Sequence, residues 1–331
     1  MALRRRGVVV GLGSIGRRHA RLLRERGDTE VELCETDAET LLVAQRELGQ
    51  AASYRSYEEA LASAPDFLLI ATPHDLHLEQ TVAALRRGVH VLCEKPMSHT
   101  LADARSMRDV ARGSRAILSI GFMLHFDPAL IRIAELIREG SLGEILAIHY
   151  RVGSYVTLVN SRSRYQARMK GALLLDYAHQ PDLIHWLLGR RPRGVYCAAV
   201  QGGRLDLSSD PNVLALVCDY DDPLVATILL NYVQMPERHD LEVIGDRGWA
   251  SYDAKAGELR VARRADETTS VERFRTERDQ MYRQEHSAFL RAISGESSPS
   301  SPPEEAIASM EIIDAAMRSL ESGTRVGLAG E

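Results

Sequence analysis

The alternation of apolar and polar positions changes character once along the chain. Through residues 1–121, short apolar runs are separated by stretches whose apolar positions recur every three or four residues. The runs at 7–10, 31–34, 66–71, 89–93 and 116–120 read as strands, and the segments 16–25, 38–48, 57–62, 76–87 and 101–111 as helices. Strands and helices alternating in this way predict a parallel sheet covered by helices on both faces. Turn residues such as Arg26-Gly27-Asp28 and Arg87-Gly88 stand at the joints.

Beyond Gly121 the pattern differs. A helix is expected over 128–138, with Leu130, Ile133, Ala134 and Ile137 on one face, followed by strand-like alternation over 144–156. A second helix, 181–188, precedes strands at 194–200, 213–220, 224–233, 241–245 and 249–252. The turns Asp221-Asp222-Pro223 and Gly245-Asp246-Arg247-Gly248 join successive strands closely, which favours antiparallel pairing. Ser, Gly and Pro crowd 294–303 ahead of a last amphipathic helix at 304–319, and no internal repeat is present. The fold class expected is α/β: a doubly wound parallel sheet in 1–121 and an α+β domain with an open, largely antiparallel sheet in 122–331. The last helix is expected to pack back on the first domain. An open sheet with helices on one face leaves the other needing cover, which predicts a homodimer or homotetramer.

At 331 residues the chain exceeds what one core organises, in keeping with two domains. Apolar residues make up 45% and charged residues 26%, as in an ordinary globular protein. Forty-one Lys and Arg against 46 Asp and Glu leave a net charge of −5, which disfavours nucleic acid or an anionic membrane as partner. Arg4-Arg5-Arg6 is followed by only three valines, too few for a signal peptide, and no apolar run spans a bilayer. Cys34, Cys93, Cys197 and Cys218 lie far apart, without CxxC or metal-ligand spacing. Buried free thiols in a reducing cytoplasm, and no metal, are the expectation.

The densest signal is Val8-Val9-Val10-Gly11-Leu12-Gly13-Ser14-Ile15-Gly16, an apolar strand running into a glycine-rich turn and a helix. In a dinucleotide site Gly11 permits the tight turn, Gly13 lets a pyrophosphate approach the backbone, and Gly16 lets helix and strand pack closely. Ser14 and Ile15 open a helix whose free N–H groups and dipole attract phosphate. Glu35 follows the second strand about 20 residues past the glycines, where an acid bonds the adenosine ribose 2′-OH. An acid there favours NAD over NADP. Asp37 is the alternative acid, and Arg17 and Arg18 are the nearest bases to the phosphate end.

Two further segments end strands on the edge where such sheets bind ligands: Ala71-Thr72-Pro73-His74-Asp75-Leu76-His77 and Cys93-Glu94-Lys95-Pro96. With these the chain resembles the glucose–fructose oxidoreductase and inositol dehydrogenase (Gfo/Idh/MocA) family of NAD(P)-dependent enzymes. The matching pieces are GLGSIGRRHARLL, ATPHDLHLEQTVAAL, GVHVLCEKP, GSLGEI and LLLDYAHQPDLIHWLLG, in the family's order. The resemblance implies a cis Lys95–Pro96 bond and a Lys95 ammonium reaching the oxygen of the reacting carbon. It further implies coenzyme contacts from Thr72, Pro73, His77 and Glu94. Asp176 becomes a substrate hydroxyl ligand and His179 the acid/base. Their spacing of three residues matches a shorter variant found among nucleotide-sugar and deoxysugar enzymes. A histidine at a helix start is kept neutral by the dipole, the state that accepts a proton. Asp182 either orients His179 or helps start the helix. Tyr155, Arg164 and Tyr165 fall on the segment that reaches substrate in relatives. His125 stands where relatives often carry arginine, Val159-Asn160 where a tryptophan is common, and Lys170-Gly171-Ala172 where three glycines are usual.

The expected activity is hydride transfer between NAD and a secondary alcohol or ketone of a sugar, cyclitol or nucleotide sugar. The alternatives are an NAD-dependent glycosidase or lyase acting by transient oxidation, and a non-catalytic NAD sensor.

Overall fold

Valines fill the strand β1 (Arg5–Val10), and Val8, Val9 and Val10 are all buried, as befits the centre of a sheet covered on both faces. Its neighbours are β2 (Thr29–Cys34), β3 (Ser53–Tyr54), β4 (Phe67–Ile70), β5 (His90–Glu94) and β6 (Leu118–Gly121). All pair in parallel, in the order β3-β2-β1-β4-β5-β6, so the order reverses between β1 and β4. Helices α1 (Ser14–Arg26), α2 (Ala38–Leu48), α3 (Tyr57–Ala62), α4 (His77–Arg86) and α5 (Leu101–Arg112) make the crossovers. Asp37, Ser56 and Thr100 cap α2, α3 and α5 by accepting from backbone N–H groups. The structure is a computed structural model describing residues 4–49, 51–160, 169, 171–266, 268–275 and 277–328.

Two units divide the chain: Met1–Phe126 with Glu277–Ile307, and Asp127–Thr276 with Ala308–Glu331. The return segment brings the helix Arg278–Ile293 onto the first sheet. Its Phe289 meets Phe67 edge to face, with ring centroids 5.6 Å apart. Burying such a ring contributes roughly 1.5–3 kcal/mol, and the edge-to-face geometry a further ~0.5–1.5 kcal/mol.

In the second unit α6 (Pro128–Arg138) is capped by Asp127, which accepts from Ala129 and Leu130 N–H. The strand β7 (Ile145–Gly153) follows. The alternation expected to continue to 156 stops at Ser154, where the backbone turns into helix α7 (Tyr155–Asn160). Helices α8 (Ala172–Asp176) and α9 (His179–Leu188) come next. A nine-stranded sheet carries β7 beside β8 (Gly194–Val200), β9 (Val213–Asp219), β10 (Val225–Asn231), β11 (Arg238–Gly245), β12 (Gly248–Asp253), β13 (Glu258–Arg263), β14 (Thr269–Arg273) and β15 (Val326–Gly327). Every pairing is antiparallel except β7 with β10.

One face of that sheet is buried through Tyr150, Leu216, Ile228, Leu230, Val243 and Tyr252. The other leaves Tyr196, Val200, Val217, Val225 and Leu229 exposed, Val200 by 61%. All four cysteines are free and buried, and burial pushes the thiols of Cys34, Cys197 and Cys218 up to about 12. Among the described residues no helix is long and apolar enough to cross a membrane.

Candidate active site

At the carboxyl end of β1 the chain turns through Gly11, whose φ of +86° is a left-handed value that disfavours any Cβ. A Cβ there would also stand 2.8 Å from the Ala71 carbonyl oxygen. At Gly16 it would stand 1.8 Å from the Gly11 carbonyl oxygen, so α1 and β1 pack this closely only with glycine. Gly13 differs: a Cβ there meets no protein atom within 4 Å. It also lacks a capping side chain, so Ser14, Ile15 and Gly16 present the amides of the first turn. These are the features a pyrophosphate requires: an approachable backbone, free donors and a helix dipole.

Glu35 lies just past β2. Its Oε2 accepts from Leu12 N–H at 2.8 Å and its Oε1 from Asp37 N–H at 3.1 Å, which fixes the carboxylate against the glycine turn. A carboxylate offers about four acceptor positions, so capacity remains for ribose hydroxyls. Asp37, the alternative acid, instead caps α2. The Thr40 backbone N–H it accepts holds its carboxyl below the ordinary value. Arg17 pairs with Glu47 at 3.1 Å and Arg18 with Asp279 at 3.2 Å, an acid it shares with Arg21. Arg55 donates to the Thr36 carbonyl at 2.9 Å, one residue past Glu35.

The loops after β4 and β5 are tied together by His77. Its buried ring places Nε2 3.0 Å from the Thr72 carbonyl and Nδ1 3.0 Å from the Pro96 carbonyl. Burial holds the imidazole below its ordinary value, against the pull of those carbonyls. Thr72 also donates through Oγ1 to Gln80 at 2.7 Å, while Pro73 is exposed. The Lys95–Pro96 bond is cis, as the family resemblance implies. Lys95 is half-buried at the end of β5. Glu94, only 9% exposed, accepts from Lys95 N–H at 3.1 Å and contacts His19 Nε2 at 2.8 Å. Burial alone would raise its carboxyl. The His19 hydrogen bond, the Lys95 ammonium and the Lys95 N–H together outweigh that and hold it below the usual range.

In the second unit Asp176 ends α8 and His179 opens α9, both half-buried. The fully buried Tyr232 donates its hydroxyl to Asp176 Oδ2, fixing that carboxylate. Pro181 sits in the first turn of α9, where its missing N–H costs nothing. Asp182, 3% exposed, lies in the same turn. Tyr155 is half-buried at the start of α7. Arg164 and Tyr165 lie outside the described residues. His125 is buried in the first unit, its Nδ1 3.1 Å from Ser301 Oγ and its ring stacked on Phe122.

Tyr232 was not among the residues expected at the site. It lies one residue past β10, where the apolar pattern of 224–233 marks it as core and hides its polar tip. His19 escaped too, since it stands among arginines in the first helix.

Residues 5–122 match the Gfo/Idh/MocA model described as an oxidoreductase family, NAD-binding Rossmann fold. Residues 134–328 match the same family's C-terminal alpha/beta domain. The rhizopine catabolism protein MocA of Rhizobium meliloti is 30% identical over 227 residues, which cover 65% of this chain and 67% of that one. The D-xylose 1-dehydrogenase (NADP(+)) 2 of Haloferax volcanii is 29% identical over 300 residues, covering 85% and 86%. An oxidoreductase from Agrobacterium radiobacter, solved in complex with NAD+, L-tartaric acid and magnesium, superimposes with a TM-score of 0.87 over 98% of both chains. Its 16% identity carries the fold alone. With both of its domains matched in order, the chain belongs to the Gfo/Idh/MocA oxidoreductase family.

Proposed function

We propose that the chain is an NAD-dependent dehydrogenase or reductase acting on a secondary alcohol or ketone of a sugar, cyclitol or nucleotide sugar. In this reading residues 1–121 bind coenzyme and 122–331 bind substrate. The observation that carries it is the junction of three loops at one sheet edge. The turn at Gly11 abuts Ala71, and His77 joins Thr72 to Pro96 beside Lys95. Gly11, Gly13, Ser14, Ile15 and Gly16 hold the pyrophosphate, Glu35 the adenosine ribose, and Thr72, Pro73, His77 and Glu94 line the remainder. When bound, NAD supplies the hydride acceptor or donor.

This chain's own residues handle the oxygen and its proton. The Lys95 ammonium polarises a carbonyl or stabilises an alkoxide. His179, at the positive end of α9, accepts the hydroxyl proton during oxidation and returns it during reduction. Asp176, fixed by Tyr232, accepts from a neighbouring substrate hydroxyl. Tyr155, Arg164 and Tyr165 contribute further substrate contacts. The dehydrogenase relative named for D-xylose fits a polyhydroxylated substrate.

Three tests follow from these assignments. NAD reduction screened over sugars, inositols and nucleotide sugars identifies a substrate. On it, Lys95→Ala and His179→Ala each lower kcat ~10²-fold or more. The double variant falls little further than either single one, because groups acting as a unit are not additive. Near-native turnover in either single variant removes that residue from the mechanism. Glycoside cleavage without net NADH, or tight NADH binding with no turnover on any substrate, gives the eliminating hydrolase or the sensor instead.

For the coenzyme, fluorescence titration gives tighter binding of NADH than NADPH. Glu35→Ala weakens NADH roughly tenfold or more, the loss of a charge-assisted hydrogen bond. It also narrows the preference, because Arg55 remains. A wild type that prefers NADPH overturns the assignment of Glu35.

We also infer that the open apolar face of the nine-stranded sheet is covered by a second copy of the chain, since exposed apolar side chains gathered on one sheet face suit an isologous contact. Sedimentation at micromolar concentration then shows twice or four times the 36.8 kDa chain mass. Val217→Asp with Leu229→Asp shifts it toward the single chain. A wild type that sediments at 36.8 kDa contradicts the inference.

A further inference from the structure

Behind Glu94 lies a cluster of buried polar groups to which the proposed reaction assigns no step. His19 comes from α1, and Glu285 and His286 from the helix Arg278–Ile293, all within the first unit. His19 and His286 are 0% exposed and Glu285 is 2% exposed. One ligand atom from each residue lies within 4.8 Å of the other two. Neither carboxylate oxygen of Glu285 has a hydrogen-bond donor. A buried carboxylate in that condition costs several kcal/mol, so its retention calls for a compensating group.

We propose that His19, Glu285 and His286 bind one divalent transition-metal ion, with zinc the chemistry that fits best. Two imidazoles and a carboxylate form a donor set characteristic of zinc, whereas magnesium and calcium call for oxygen ligands throughout. Glu94 completes the arrangement. It contacts His19 Nε2 at 2.8 Å, so the ring donates there and turns the lone pair of Nδ1 inward. A carboxylate bonded to the far nitrogen is the usual support of a ligating histidine. Glu94 and Glu285 together carry the two negative charges that neutralise a divalent ion in a buried place. The Tyr282 ring, edge-on to His19 with centroids 4.9 Å apart, closes one side.

His19 Nδ1 and His286 Nε2 now stand 2.7 Å apart and share a proton. Tetrahedral zinc at about 2.0–2.1 Å from each nitrogen needs them roughly 3.3 Å apart, so the rings part by about half an ångström and the shared proton leaves. The fourth position falls to water. Because the three residues lie up to 267 positions apart in the chain, no ligand spacing announces them.

The test uses the full-length protein, free of any histidine tag, incubated with Zn²⁺ and then desalted. Elemental analysis should give one zinc per chain. Added Zn²⁺ should raise the thermal midpoint of chelator-treated protein by roughly 5–10 °C at a hundredfold excess over Kd. Co²⁺ in its place should give the visible d–d bands of a tetrahedral nitrogen–oxygen site. Glu285→Gln and His286→Ala, confirmed folded by circular dichroism, should lose both metal and bands. Wild-type protein that leaves desalting without zinc, and whose midpoint ignores added Zn²⁺, overturns the proposal and makes Glu285 a buried protonated acid. Folded variants that keep zinc at the wild-type level overturn it equally. The wild-type measurements need no variant, and none of the readouts depends on turnover.

Discussion

The first unit is organised around one close approach, between the Gly11 carbonyl oxygen and the backbone of Gly16. A methyl group at Gly16 would stand 1.8 Å from that oxygen, so the helix lies against the strand at a distance no other residue permits. That crossing sets where α1 begins. It leaves Gly13 at the helix start with no protein atom over its Cβ position and no side chain capping the first turn. The same turn brings Gly11 against Ala71 at the end of β4, so the glycines and the Thr72 loop share one sheet edge. His77 extends the linkage to Pro96 and so to the position of Lys95. Van der Waals exclusion at one glycine thus positions the groups proposed to bind the coenzyme, and Lys95 with them.

Charge is distributed to match. The acids facing the coenzyme edge are fixed in place: Glu35 by two backbone N–H groups, and Glu94 by His19 and by Lys95 N–H. The arginines of α1 are occupied, Arg17 by Glu47 and Arg18 by Asp279, so they add structure more than phosphate affinity. In the second unit the same economy applies, with Tyr232 holding Asp176 just ahead of the helix that His179 opens. Each proposed functional carboxylate is therefore held by hydrogen bonds from its neighbours: backbone N–H groups at Glu35, His19 and the Lys95 N–H at Glu94, and the Tyr232 hydroxyl at Asp176.

Elements with a clean burial period were legible from residues alone. The helices Ala38–Leu48 and Pro128–Arg138 and the strand Gly194–Val200 appear with the bounds the pattern implied, while the helix expected over 181–188 begins two residues earlier, at His179, with Pro181 in its first turn. The strands Glu258–Arg263 and Thr269–Arg273 were not legible. Thr269–Arg273 is the edge strand and buries none of its residues, so it has no apolar period, while Glu258–Arg263 beside it offers only Leu259 and Val261 as buried positions among charges. The helix Arg278–Ile293 was obscured because Glu285 and His286, polar by type, sit on its buried side. Tyr155 reads as a continuation of β7, yet the backbone turns helical there. The coenzyme motif was readable because glycine spacing encodes sterics locally. The tie from Tyr232 to Asp176 and the cluster behind Glu94 join residues far apart in the chain, and no local pattern records them.

The central claim is that the backbone at Gly13 is kept open for the pyrophosphate of a dinucleotide. Gly13→Val tests it directly, since the residue has φ −62° and ψ −169°, values open to any amino acid, and its Cβ meets no neighbour. The substitution should leave stability within about 1 kcal/mol of wild type, as expected for a change at an uncapped helix start. NADH titrated into both proteins should bind the wild type at one site per chain and bind Gly13→Val on the order of 10²-fold more weakly, about what exclusion of a well-placed phosphate costs. A variant that binds NADH as tightly as the wild type would contradict the account.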